Sequence, residues 1–328
     1  QFVERLIPDV NIPQIVVADT RYALGHASAN FYDHPSRKIR VLGVTGTNGK
    51  TTTTYLVKSI LETAGYKVGL IGTIMTMIGD QVLESVRTTP ESLELQRLLA
   101  QMAQEDVDYA VMEVSSHALE LQRTAGLSFV SALFTNLSQD HLDFHSNMLD
   151  YFSAKAKLFA TLQGEAILNV DDPWGIKLQR LCRTKILNYA IQKPANFRAN
   201  NIKLENTGVS CILDSDEGQI PIDLKLTGQF NVYNSLGAAA LCASRGVSLT
   251  EIKQGLELVQ GVPGRFERIP NDRGLNVIVD YAHTPDGLKN ILISARELVP
   301  NGRIILVFGA GGDRDPGKRP QMGQVAAE

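Results

Sequence analysis

Cysteine is scarce in this chain of 328 residues: Cys182, Cys211 and Cys242 form an odd set with neither close pairing nor metal-ligand spacing. That excludes a disulfide framework and a cysteine-held metal, and it reads as reduced core thiols in a reducing compartment, the cytoplasm. An excess of one charge is missing as well, since 32 Lys and Arg face 35 Asp and Glu for a net charge of −3. Lys and Arg are scattered, so no basic field exists to hold a nucleic-acid backbone. No apolar run approaches the roughly 18 residues of a membrane span, and "QFVERLIPDV" has no cationic stretch followed by an apolar one. Nucleic acid and membrane are therefore not expected partners, and nothing in the sequence demands an oligomer, so a monomer is expected. Internal repeats and low-complexity tracts are absent. The final "GQVAAE" stops as a helical pattern begins, without a cap or a breaker, and reads as a truncation.

What is present is a soluble globular composition, 44% hydrophobic and 20% charged, long enough for two or three domains. From residue 39 onward short apolar runs alternate with segments of helical period, the pattern of a parallel sheet covered by helices. Strands are expected at 39–45, 67–72, 108–114, 129–135, 165–170, 276–281 and 303–309. "TTPESLELQRLLAQMAQ" predicts a helix capped by Thr89, with Pro90 in its first turn and Leu95, Leu98, Leu99 and Met102 on its buried face. Residues 196–226 alternate apolar and polar around two turns and predict an antiparallel insert. Helices are expected over 229–244 and 249–259. "GVPGRFER" then supplies the Gly and Pro of a linker and hinge, after which a new α/β unit begins. The fold class is α/β: a central parallel-sheet ATPase domain over 39–262 with an antiparallel insert, then the start of a Rossmann-like domain over 263–328.

Ligands of an open parallel sheet bind beyond the carboxyl ends of its strands. Here those ends are polar: "GTNGKTT", then Glu113 with Ser115 and His117, then Asn136 with Asp140 and His141, then Asp280 with His283, then a glycine loop with Asp313 and Arg314. "VLGVTGTNGKTTTTYLV" looks like a phosphate loop but misspells one, since a standard loop requires glycine where Val44 stands. Gly46 and Gly49 still let the backbone aim several N–H groups at one point, and the following helix adds its positive dipole end. Four threonines and Lys50 at that helix start are poor choices for stability unless an anion binds there. Lys50 is assigned to phosphates and Thr51 to a magnesium ion; the alternative is a glycine turn that merely caps a helix. Glu113 and His141 are candidate metal or metal-water ligands beside such a cradle. Each would otherwise be an ordinary buried polar group.

The motifs "GVTGTNGKTTT", "TTPESLELQ", "MEVSSHALELQR", "FTNLSQDHLDFH", "YFSAKAKLF", "LTGQFNVYNSLGA", "GVPGRFERI", "DYAHTPDGL" and "VFGAGGDRDPGKR" occur in this order and resemble the Mur ligases over almost the entire chain. The resemblance implies ATP-dependent formation of an amide through an acyl phosphate. Within the family, the motif set is similar to ligases that add a diamino acid, meso-diaminopimelate or L-lysine, to a UDP-MurNAc-dipeptide in peptidoglycan synthesis. Residues 1–38 are similar to the end of an N-terminal UDP-sugar-binding domain and its linker. By resemblance, Gly46, Thr47, Asn48, Gly49, Lys50, Thr51, Thr52, Asn231, Asn234, Asp280 and His283 serve ATP. Thr88, Thr89, Ser115, Arg123 and Arg314 serve the other substrates, and Thr51, Glu113, His141 and Lys155 the Mg2+ sites.

Lys155, read alone, is a solvated helix lysine. The resemblance instead implies that CO2 carbamylates it and that the carbamate helps hold a second magnesium. An ammonium ~5 Å from a dication is repelled by roughly 7 kcal/mol at an effective dielectric of about 20, so a lysine facing the metal must lose its charge. His117 is read as structural, Trp174 as packing, and Asp171 and Asp172 as a helix cap. Pro316 departs from the family pattern, where a lysine occurs in some members. Two rival readings remain at this point: a sister ligase of the folylpolyglutamate or cyanophycin synthetase type, and a non-catalytic scaffold of the same fold.

Overall fold

The computed structural model describes residues 1–9, 11–205, 207–310 and 316–328. Its first elements are β1 (Phe2–Val3), β2 (Ile15–Val16), α1 (Thr20–Phe31), β3 (Arg40–Thr45), α2 (Lys50–Thr63), β4 (Val68–Ile71), β5 (Met75–Ile78) and β6 (Gln81–Glu84). Then come α3 (Ser92–Gln104), β7 (Tyr109–Glu113), α4 (Ser116–Glu120), β8 (Phe129–Phe134), α5 (Met148–Ala160), β9 (Glu165–Asn169), α6 (Pro173–Gln179) and β10 (Ile186–Ala190). The remainder is β11 (Phe197–Glu205), β12 (Gly208–Ser215), β13 (Gly218–Leu224), α7 (Gln229–Ala243), α8 (Leu249–Leu258), β14 (Glu267–Ile269), β15 (Val277–Val279), α9 (Pro285–Leu298) and α10 (Lys318–Ala327).

One 11-stranded sheet organises the molecule, in the order β13-β12-β11-β10-β9-β8-β3-β7-β4-β5-β6. From β11 to β4 neighbouring strands run parallel, and antiparallel hairpins extend both edges. The mostly parallel central sheet expected from the sequence is what the chain forms. β3 lies in its interior, between β8 and β7, because its near-continuous apolar run suits a strand buried on both faces. Alternate residues of β3 enter opposite cores: Leu42 and Val44 join Leu56, Val57, Ile60 and Leu61 of α2, and Val41 joins Leu95, Leu99 and Met102 of α3. Each such fully buried aliphatic side chain contributes on the order of 1.5–3 kcal/mol. The chain leaves β7 on one side of β3 and re-enters as β8 on the other, so a crevice opens at the carboxyl ends of these three strands.

Several details differ from expectation. Thr89 does not cap α3; Glu91 is the N-cap and Pro90 precedes the helix. The reason is that the Thr89 hydroxyl is committed elsewhere, donating to the Glu113 carbonyl at 2.8 Å and accepting from Ser115 N–H at 3.1 Å. The hairpin β5–β6 and strand β10 were not anticipated, although Gly79-Asp80 is a turn signal between alternating runs. Residues 303–309 form no strand, and β15 pairs antiparallel with β14. A parallel strand needs a neighbour to bond to, and neither β14 nor β15 offers one to 303–309, where Val307 stays 92% exposed. Cys211 and Cys242 are buried and all three thiols are free. Among the described residues, no helix is long and apolar enough to cross a membrane.

Helices α2 and α8 touch through Gly255, where an added Cβ would fall 2.4 Å from the Ile60 Cα. Gly255→Ala is expected to destabilise by about 1–3 kcal/mol through overpacking. A thermal melt checks this, with Tm falling by roughly 2–4 °C per kcal/mol.

Candidate active site

The turn from β3 to α2 is a backbone cradle. Gly46 has φ of 145° and Gly49, the N-cap of α2, has φ of 88°. A Cβ on Gly46 would lie 1.8 Å from Thr135 Oγ1, and one on Gly49 2.3 Å from Asn234 Oδ1, so both positions require glycine for conformation and for space. The end of β8 holds the cradle in place: Asn136 accepts from Thr47 N–H and Asn48 N–H, and the Thr135 hydroxyl donates to the Asn48 carbonyl at 2.7 Å. Lys50 folds back over the loop, its Nζ donating to the carbonyls of Gly46 and Thr47 at 2.9 and 2.8 Å. Burial pulls its ammonium below the usual lysine range; Glu113 opposes this and Arg265 adds to it.

At the end of β7, Glu113 is 1% exposed. Its carboxylate accepts from the Thr73 N–H at 2.8 Å and the Thr73 hydroxyl at 3.0 Å, and that hydroxyl meets Thr88 Oγ1 at 3.0 Å. Ser115 caps α4 by accepting from Ala118 N–H. Arg123 donates to the Thr89 carbonyl and pairs with Glu91, so Thr89 and Arg123 tie the loop before α3 to the end of β7.

Beyond β8, His141 adopts φ of 55° and Asp140 accepts its N–H at 2.9 Å. Burial pulls the His141 imidazole down to about 3; Asp140 opposes this, while His117, Lys155 and Lys50 reinforce it. The ring packs edge-on against His117, which in turn neighbours Phe144 and His145, so His117 sits in an aromatic cluster. Lys155, projected from α5, is buried rather than solvated: it is 2% exposed, donates to the Gly46 carbonyl at 2.8 Å and lies 4.6 Å from the Tyr151 ring. Burial and the Lys50 charge hold its ammonium well below the ordinary range, against the pull of Asp140.

The C-terminal segment closes the crevice from the other side. Arg265 donates to Thr51 Oγ1 at 2.9 Å, Asn48 Nδ2 donates to Asp286 at 3.0 Å, and Asp280 accepts from Phe266 N–H and Ala282 N–H. His283 Nε2 and Lys318 Nζ stand 3.5 and 3.4 Å from Asp140. The cleft between them is open to solvent, about 700 Å³, and is lined by the loop, Thr88, Glu113, Ser115, His141, Asn234, Asp280 and His283 among others. The ends of β3, β7, β8 and β15 thus meet in one space, with a phosphate-type cradle at its centre.

The family model described as Mur ligase middle domain matches residues 44–242, and that for Mur ligase, glutamate ligase domain matches residues 264–328. The chain belongs to the Mur ligase family. This Mur ligase is 48% identical over 315 residues to the UDP-N-acetylmuramoyl-L-alanyl-D-glutamate–2,6-diaminopimelate ligase of Clostridium botulinum, covering 95% of the chain and 65% of that protein. The same ligase of Thermosynechococcus vestitus is 47% identical, with 95% and 64% covered. A solved structure of a ligase so described superposes with a TM-score of 0.78 at 32% identity, covering 99% of the chain and 67% of the other. The Mur ligase chain thus spans about two thirds of the length of the curated relatives it matches. E. coli FolC, solved with DHPP and ADP, gives a TM-score of 0.73 at 22% identity, which shows a shared fold alone.

Of the residues singled out in sequence, Asn231 stands behind the cleft, bonding the Thr227 carbonyl and Asn234. Arg314 and Asp313 lie outside the described residues. Trp174 packs on Phe152, Asp172 caps α6, and Asp171 accepts three backbone N–H groups and the Tyr233 hydroxyl. Sequence reasoning missed Thr73, Arg265, Asp286 and Lys318; the last three lie inside quoted motifs, whereas Thr73 carried no signal.

The donor set fits a magnesium ion bound with nucleotide. Thr51 and Glu113 offer hard oxygens, and magnesium takes few protein ligands beside waters and phosphate oxygens. No group of three or more His, Cys, Asp or Glu converges among the described residues, as a transition-metal site would require.

Gly49→Ala is expected to abolish nucleotide binding by calorimetry while leaving the far-UV circular dichroism intact. The half-buried His141 gives a second expectation for the metal-free protein. Between pH 6.5 and about 3 the unfolded chain binds a proton that folded His141 refuses, so stability falls as pH drops through that window. His141→Gln should flatten the decline in denaturant midpoints across it.

Proposed function

We propose that this chain carries the catalytic core of an ATP-dependent amide ligase that joins 2,6-diaminopimelate to UDP-MurNAc-L-Ala-D-Glu. The observation that carries the reading is the convergence of the glycine cradle, Lys50, Glu113 and His141 in one cleft, with Lys155 buried behind the cradle on the Gly46 carbonyl, in a chain 44–48% identical to diaminopimelate ligases over 95–99% of its length. In this reading 1–38 links to a UDP-sugar-binding domain, 39–262 binds ATP, and 263–328 begins the domain that receives the amino acid. Arg314 contacts that amino acid, while Thr88 and Ser115 orient the UDP-linked carboxylate, with Thr89 and Arg123 fixing their loops. Soluble nucleotide-linked substrates and free thiols suit a cytoplasmic enzyme, and a monomer is the state proposed for it.

The chemistry proceeds in two displacements. The substrate carboxylate attacks the γ-phosphorus of ATP, the bridging P–O bond breaks and ADP departs. The amine then attacks the acyl carbon of the mixed anhydride, phosphate leaves, and the nitrogen loses its extra proton to give the amide. Lys50 and the N–H groups of the cradle stabilise charge on the moving phosphoryl group. Thr51, Glu113, His141 and a carbamate on Lys155 would hold magnesium, which supplies further charge neutralisation at the phosphate oxygens. Carbamylation requires a neutral amine to attack CO2, and a lysine buried beside Lys50 reaches that state more readily than an exposed one.

Incubation of the protein carrying this sequence with ATP, magnesium, the UDP-linked dipeptide and either meso-diaminopimelate or L-lysine tests the reading by mass spectrometry. Product with diaminopimelate is expected; product only with lysine, or only with a folate or a cyanophycin acceptor, overturns it. Lys50→Ala should lower turnover by about a hundred- to a thousand-fold. Carbon NMR with isotope-labelled CO2 should show one carbamate signal that disappears in Lys155→Ala.

A further inference from the structure

His141 occupies the left-handed region, with φ of 55°, where a side chain is disfavoured. Asp140 offsets this: Oδ1 accepts the His141 N–H at 2.9 Å, and Oδ2 stands 3.3 Å from the imidazole Nε2. The same carboxylate, 3% exposed, is reached across the cleft by two groups of the C-terminal segment. Lys318, at the first position of α10 and 8% exposed, places Nζ 3.4 Å from Oδ1, and His283, just before α9, places Nε2 3.5 Å from Oδ2. Pro316, two residues earlier, brings no amine, so Lys318 is the cation that 316–328 contributes to this carboxylate among the described residues.

We propose that Asp140 is a positioning residue that couples docking of the C-terminal segment to the orientation of His141, with Lys318 transmitting the docking. The inference rests on the reading of His141 as a metal ligand. When the segment is withdrawn, Asp140 keeps one ring partner, and its buried charge binds the His141 imidazole hard. Docking brings Lys318 and His283 to the same carboxylate, whose charge is then shared among three partners, while Oδ1 still holds the backbone turn and Oδ2 stays 3.3 Å from the His141 ring. Separating a buried pair leaves an uncompensated charge, so the docked and withdrawn arrangements are distinct states. By linkage, a cation held by His141 must strengthen docking as much as docking strengthens its hold.

Two measurements on the protein carrying this sequence read the coupling without any amide product. One is ADP affinity by calorimetry as a function of magnesium; the other is hydrogen exchange of 285–298 and 318–327 with ADP, in magnesium or in EDTA. In the parent, magnesium should protect both helices. Lys318→Met should remove that protection and raise the magnesium midpoint about tenfold, with ADP affinity in EDTA unchanged. Lys318→Arg, which keeps the ion pair, should restore both, and Asp140→Asn should make Lys318→Met silent. Equal weakening of ADP binding with and without magnesium would mean that Lys318 binds phosphate directly and would overturn the proposal. So would an unchanged midpoint, or additive losses in the double variant. A parent that binds ADP and magnesium but forms no product with any diamino acid would refute the ligase reading while leaving this coupling measurable.

Discussion

Thr135 and Asn136, at the end of β8, grip the backbone of the glycine loop that leaves β3, and the cleft takes its shape from that grip. A loop with two glycines in positive φ has many conformations to lose, and its own sequence selects none of them. Four hydrogen bonds from Thr135 and Asn136, with the Lys155 ammonium on the Gly46 carbonyl, select one. The N–H groups at the start of α2 then face the crevice with no freedom left to spend on binding. Preorganisation of this kind is what makes backbone donors effective against transferring phosphoryl groups.

Charge follows from that geometry. Lys50, Lys155 and Arg265 crowd the cradle, and Glu113 and Asp140 are their buried counterparts. Such a concentration of partly neutralised cations is costly in an empty protein and suited to a polyanion. Asp140 is held below the ordinary carboxylate range although burial alone would raise it, because the His283 hydrogen bond and the charges of His141, His283 and Lys318 outweigh burial. The C-terminal segment thus meets the central part through polar groups at Asp140, Asn48 and Thr51, beside an aromatic contact of Phe266 with Phe230. Polar interfaces of this kind permit relative motion of the parts they join.

Much of the sheet was legible because its strands are buried on both faces and therefore read as apolar runs, as at 40–45 and 109–113. The hairpin β5–β6 was not, since Gln81–Glu84 lies at an edge and mixes exposed polar and apolar positions. Residues 303–309 show the opposite error: an apolar run with β-branched residues reads as a strand, but pairing is decided by neighbours. Thr89 read as a cap because it precedes proline and a helical stripe. Its hydroxyl serves Glu113 and Ser115 instead, a contact across 24 residues that no local rule sees. Lys155 read as solvated for the same reason, since burial of one helical lysine depends on what packs over it.

The sequence by itself determined the alternation of strands and helices, the cradle between β3 and α2, and the family, because hydrophobic period, glycine and short motifs are local properties of the chain. Only the tertiary structure decided that Lys155 is buried against Gly46, that Arg265 reaches Thr51, and that Lys318 and His283 share Asp140 with His141. Those contacts join residues far apart in sequence, and each exists because sheet order brings strand ends together while the linker returns the chain over them.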